Sequence, residues 1–238
     1  MMYYQLEKQK LRPAPYRWGV LGIYLSIQFM GIFFLFIPRL EELPPGQVGD
    51  VMFSTWSGLL GLTTALCFSC FSIFAAILAA KLVVGEYCGN GAGVLLSYPV
   101  ARRRILGAKC AVCCTMTLSA AALCNGMTMG GMYLVSRLFQ TPPQVDITCF
   151  PLVVVLVSLL AGVLSAVAGL LAAVVGWKKR SPVAAVVGAL LLVCCTANGI
   201  PSAPRHILWV MLGMACVFLL AATLLYRVLV RGIEGMEV

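Results

Sequence analysis

The chain has 238 residues, 61% of them hydrophobic and 11% charged, with a mean hydropathy of +0.99. Soluble domains run at about 45–50% apolar and about 25% charged residues, and so little charge cannot cover so much apolar surface in water. The composition excludes a soluble enzyme, a nucleic-acid binder and a secreted disulfide scaffold, and the net charge of +9 is read as membrane topology.

Residues 1–17 mix Tyr3, Tyr4, Leu6, Leu11 and Tyr16 with Lys and Arg, as an interfacial helix on the inner leaflet does, with Pro13 and Pro15 breaking it before the first span. The alternative is a disordered tail ended by aromatic belt residues. No small-residue cleavage site follows the first apolar run, so a retained N-terminus is expected. Residues 18–238 form one transmembrane domain. A helix needs about 20 apolar residues to cross hydrocarbon, and six runs qualify: Trp18 to Ile37, Leu59 to Val84, Ile105 to Val135, Phe150 to Trp177, Pro182 to Ile200 and Ile207 to Leu229. The third is long enough that it must tilt, kink or project. None shows the alternation of a membrane β-strand. The expected fold class is an all-α membrane protein with six transmembrane helices.

Of the 17 Lys and Arg, only Arg39, Arg137 and Arg205 fall on one side of these spans. Basic residues collect in the cytoplasm, so both termini and the loops after spans two and four are expected there, in a multi-pass protein of the plasma membrane. The outer loops are short. The last, NGIPSAPRH, stays fairly apolar and reads as a re-entrant turn, which protein must cover.

No Asp, Glu, Lys or Arg occupies the middle of a span; Lys81, Glu86 and Lys109 lie at cytoplasmic ends. Intramembrane charges mark ion and proton pathways, so a proton-coupled carrier, an ion pump and a voltage sensor are disfavoured. There is no H-E-x-x-H and no G-x-x-x-x-G-K-[ST], and His206, the single histidine, sits in an outer loop without a nucleophile or orienting partner. No catalytic residue is assigned. Cys67 and Cys70, like Cys110 and Cys113, have C-x-x-C spacing, but no Met/His ligand set surrounds them; they are read as small packing groups, and no metal is expected.

Small residues suit close helix contact. They recur on span three at Gly126, Gly130 and Gly131, and on span four at Ala161, Gly162, Ser165, Ala168 and Gly169. Gln28, Asn125 and Asn198 are the polar residues placed to line a substrate path or to make interhelical hydrogen bonds.

The segment from Gly85 to Lys109, GEYCGNGAGVLLSYPVARRRILGAK, is unlike a plain connector. Glu86 opens it, and its glycines loosen the entry. Val94, Leu95, Leu96 and Tyr98 then form an apolar cluster where lipid does not require one. Pro99 ends that cluster, and Arg102, Arg103 and Arg104 follow. An apolar knob with a basic flank suits a groove on a soluble partner; a positively charged stop signal beside an interfacial helix is the other reading.

Here the sequence resembles the type-2 ABC transporter permeases. Glu86, Leu95–Leu96, Ser97, Pro99, Val100, Arg102, Ile105, Leu106 and Lys109 fall where that family's segment between spans two and three places them. Where the family usually carries Gly-Thr, this chain carries Asn90 and Gly91. The resemblance implies the membrane subunit of an ABC exporter, with residues 85–104 as a cytoplasmic coupling loop. It implies a separate P-loop ATP-binding subunit, two copies expected, which holds the ATP and Mg; this chain would bind no cofactor. It also implies a second membrane subunit, the same or a related chain. Spans lined by Leu, Val, Ala, Phe and Met suit an amphipathic or apolar cargo, such as a peptide antibiotic, a lipid or a drug, and antimicrobial-peptide resistance is one expected role. The alternatives are a non-transporting membrane scaffold that recruits a soluble partner and a membrane enzyme.

Overall fold

In lipid, a backbone can satisfy its polar groups only by bonding within its own segment, so long apolar runs become helices. The computed structural model describes residues 13–40, 52–85, 102–139, 150–202 and 206–234. Helix α1 spans Pro13–Leu40 and α2 spans Trp56–Ala79, continued by a π-helical turn, Ala80–Val84. Helices α3, α4 and α5 are Arg102–Leu138, Phe150–Lys178 and Pro182–Thr196, the last followed by a 3₁₀ turn at Ala197–Gly199; α6 is Ile207–Glu234. No strand occurs among the described residues. All six helices are long and apolar enough to cross a membrane, and α6 runs on past Leu229, the expected end of the sixth span.

Local chemistry sets several boundaries. Pro13 and Pro15 stand in the first turn of α1, where a missing N–H is harmless, so they start a helix there. Of residues 1–17, expected as interfacial, 13–17 are helical and continuous with the first span, and 1–12 lie outside the described residues. Thr55 caps α2 by accepting from the Gly58 N–H at 3.1 Å. Helix α3 has 37 residues, about 55 Å at 1.5 Å per residue, against about 30 Å of hydrocarbon. It must tilt or project, as its sequence length implied.

Helix α4 is central and packs on α2, α3, α5 and α6, while α1 packs on α2 and α3. Three glycines at seven-residue spacing on α4 make this possible. A Cβ on Gly162 would lie 2.8 Å from the Leu118 carbonyl oxygen of α3. One on Gly169 would overlap the Cβ of Ala75 on α2, and one on Gly176 would lie 2.6 Å from that of Ala185 on α5. Between lipid-solvated helices association rests on such close packing, because lipid removes the hydrophobic drive. Ala76, Ala172 and Ala189 close the α2–α4–α5 junction.

On α3 the expected small-residue face divides. Gly131 lies against the Gln28 side chain, whereas Gly126 and Gly130 have open space where a Cβ would stand. The turn before α6 packs inward: Ile200 is buried, and the Pro201 backbone lies 3.3 Å from a Cβ position on Gly61 of α2. Residues 203–205 lie outside the described set. Outward-facing Phe29, Phe33, Val187, Leu191, Leu220 and Leu224 give α1, α5 and α6 apolar exteriors suited to lipid.

Candidate functional site

The loop between α2 and α3 leaves and re-enters the bundle through one apolar cluster. Leu78, Ala79, Leu82 and Val83 of the descending wall pack with Leu106, Cys110, Val112 and Cys113 of the ascending wall, and Ala173 and Val174 of α4 complete the contact. Leu106 and Val112 are wholly buried. The descending wall ends in the π turn, which inserts an extra residue per turn and often marks functional positions. It turns Lys81 outward, and the ammonium sits 5.5 Å from the Tyr16 ring of α1. Tyr16 in turn packs edge-on to Phe74, with centroids 6.5 Å apart. The π turn is thereby tied to α1 as well as to α3 and α4.

Lys109, about two turns into α3, is fully buried. Its sequence position marked it as a span-end lysine; that its side chain turns inward is a tertiary fact with no local signal. Glu86, Val94, Leu95, Leu96, Tyr98 and Pro99 lie outside the described residues. Arg102, Arg103 and Arg104 open α3, and their side chains lie outside the described set.

The three amides singled out in the sequence occupy different places. Asn125 is wholly buried, and its Nδ2 donates to Thr64 Oγ1 at 3.2 Å and to Ser158 Oγ at 3.1 Å, so one side chain joins α2, α3 and α4. Its Oδ1 has no partner among the described residues. Gln28 of α1 reaches over Gly131, and its Oε1 is likewise buried without a partner among the described residues. Asn198 is exposed in the 3₁₀ turn, remote in sequence and element from the other two. Thr63 lies beside this polar layer, with Oγ1 donating to the Leu59 carbonyl at 2.8 Å.

Thiols donate to helix carbonyls: Cys67 Sγ to Ala121 O at 3.4 Å and Cys113 Sγ to Ala75 O at 3.5 Å. Among the described residues no three His, Cys, Asp or Glu side chains come together as a metal site. The described residues thus give two helix ends packed in one apolar cluster and a bundle joined across three helices by one amide.

A protein-family model described as ABC-2 family transporter protein matches the chain over residues 4–196. No curated protein and no solved structure matches it.

Proposed function

The chain belongs to the ABC-2 family of transporter membrane proteins and is a permease subunit rather than a catalytic one, and we propose that its transporter is an exporter driven through residues 85–104. The observation that carries this reading is the apolar cluster that clamps both walls of that segment to α4. A force applied to the loop reaches the bundle only if the walls move as one body. Close-packed side chains do this, because packed interiors resist compression.

In this reading Glu86, Val94, Leu95, Leu96, Tyr98 and Pro99 seat on a P-loop ATPase subunit, with Arg102 to Arg104 setting the approach. Two such subunits close on ATP and Mg, which they hold themselves. The loop and both termini face the cytoplasm, in keeping with the Lys and Arg bias, and the host membrane is the plasma membrane. A second membrane subunit, the same or a related chain, completes the path, since six helices enclose little space. The middle of each span carries no formal charge, which favours an amphipathic or apolar cargo over an ion or a sugar acid. A peptide antibiotic is the leading candidate, with self-protection as the role.

The test is ATP-dependent transport in vesicles carrying this chain and its ATPase. Leu96→Asp and Pro99→Ala should insert normally and abolish transport. Undiminished, ATP-coupled transport by both variants overturns the coupling role. A chain that holds the ATPase but shows no ATP-dependent change in conformation is a scaffold.

A further inference from the structure

Among the described residues, Tyr16 is the side chain that α1 contributes to the apolar cluster holding both walls of the loop. Two contacts hold its ring. Phe74 of α2 meets it edge-on, with centroids 6.5 Å apart and planes at 78°. The Lys81 ammonium, exposed on the π turn, lies 5.5 Å from its centroid.

The contacts continue into the bundle. Phe74 is edge-on to Phe71, with centroids 6.0 Å apart. Phe71 is wholly buried, in a second cluster with Ile27 of α1 and with Cys124, the chain neighbour of Asn125. Phe74 packs against both clusters. A contiguous line of side chains, Lys81, Tyr16, Phe74 and Phe71, thus runs along the seam of α1 and α2.

The two ends of this line differ in strength. Buried, close-packed rings resist displacement and move together. A cation over a ring at an exposed site shifts an equilibrium only about two- to fivefold. The Lys81–Tyr16 contact can therefore be made and broken while the buried contacts persist. It also stands where it would register a movement, because Lys81 belongs to the turn from which the loop to α3 departs. Helix α1 packs only on α2 and α3, so its inner end is less enclosed than that of α4.

We propose that Tyr16 and Lys81 are positioning residues that carry movement of the loop to the inner end of α1. This rests on the coupling role of residues 85–104. Movement of the descending wall towards α1 seats the ammonium on the ring, and movement away separates them. The ring supplies its face to the lysine and meets the edge of Phe74, so the phenolic hydroxyl is dispensable. The cation is not, and a guanidinium can replace the ammonium because it also stacks on aromatic faces.

The test is hydrogen–deuterium exchange, read by mass spectrometry, on the full chain with its ATPase subunit in lipid nanodiscs, with and without Mg and a non-hydrolysable ATP analogue. In the parent, nucleotide should change deuterium uptake at residues 14–20 of α1 and at residues 102–108 of α3. Lys81→Met keeps the stem and loses the charge; Tyr16→Leu keeps apolar bulk and loses the ring. Both should keep the ATPase and the response at 102–108 and lose the response at 14–20, and the double variant should lose no more than either single one. Lys81→Arg and Tyr16→Phe should retain the response. A contact that only stabilises the fold would raise uptake in α1 equally with and without nucleotide when it is removed. That result, a parental response at 14–20 in Lys81→Met, or a parent that responds at 102–108 and not at 14–20, would overturn the proposal and leave the coupling role of the loop standing. A parent that holds the ATPase and responds nowhere would overturn both.

Discussion

Gly169 of α4 meets Ala75 of α2 so closely that no Cβ fits between them. Ala75 lies one turn before the π turn from which the loop to α3 departs. The contact therefore fixes the loop's descending wall to the central helix, and Ser165 adds a hydroxyl contact to the Phe68 carbonyl at 3.5 Å on the same seam.

Gly169→Leu should cost more than the roughly 1–3 kcal/mol usual for overpacking, because the obstructing atoms include the Ala75 backbone, 3.0 Å away at its carbonyl carbon. The readout is the yield of folded, monodisperse protein in detergent and its unfolding midpoint. Gly126→Ala and Gly130→Ala, which meet nothing within 4 Å, should be neutral or slightly stabilising. A Gly169→Leu protein as stable as the parent contradicts the α2–α4 packing.

Asn125→Ala removes the bonds to Thr64 and Ser158. Interhelical hydrogen bonds in membranes average about 0.6 kcal/mol and reach about 1.7. A loss of about 1–2 kcal/mol in unfolding free energy is expected. A double-mutant cycle with Ser158→Ala should show coupling; strictly additive effects would mean the two side chains do not meet.

The spans were legible because hydrocarbon thickness sets their length and because their apolar runs stop at Pro, Gly or charge. Span four's tight face was legible from Gly162 and Gly169. Span three was legible only in part, since Gly126, Gly130 and Gly131 look alike in sequence and only Gly131 faces α1. Which side of a helix is covered depends on its tilt, and small residues carry no sign of it. The π turn at Ala80–Val84 has no composition cue, and Arg180 hides its own turn, because a left-handed terminus is read from glycine. Of the candidate site, the loop residues stood out by charge and apolar clustering. Their mounting on Leu106, Val83 and Val174 arises from contacts among three helices. The inward turn of Lys109 is likewise invisible in local sequence.

Leu106→Ala should loosen that mounting while leaving the loop sequence intact. Deleting a fully buried leucine side chain costs about 2–5 kcal/mol, with the range set by how far the cavity collapses. ATPase binding should persist while ATP-driven transport falls. Unchanged transport would show that the cluster does not carry the movement.

Arg180→Gly should raise the unfolding midpoint, by about 1 kcal/mol of stability, since glycine enters φ of 48° without the Cβ penalty. Arg180→Val should lower it. The opposite order would mean that the arginine side chain contributes more than its backbone strain costs.

The most direct test is affinity purification of the full chain in mild detergent, with mass spectrometry of the proteins that accompany it, alongside the same experiment on Leu96→Asp. The account predicts a P-loop ATPase with the parent chain and its loss with Leu96→Asp, while both chains remain folded and membrane-inserted. Retention of the ATPase by Leu96→Asp, or its absence from the parent across several mild detergents, would contradict the coupling of this permease through residues 85–104.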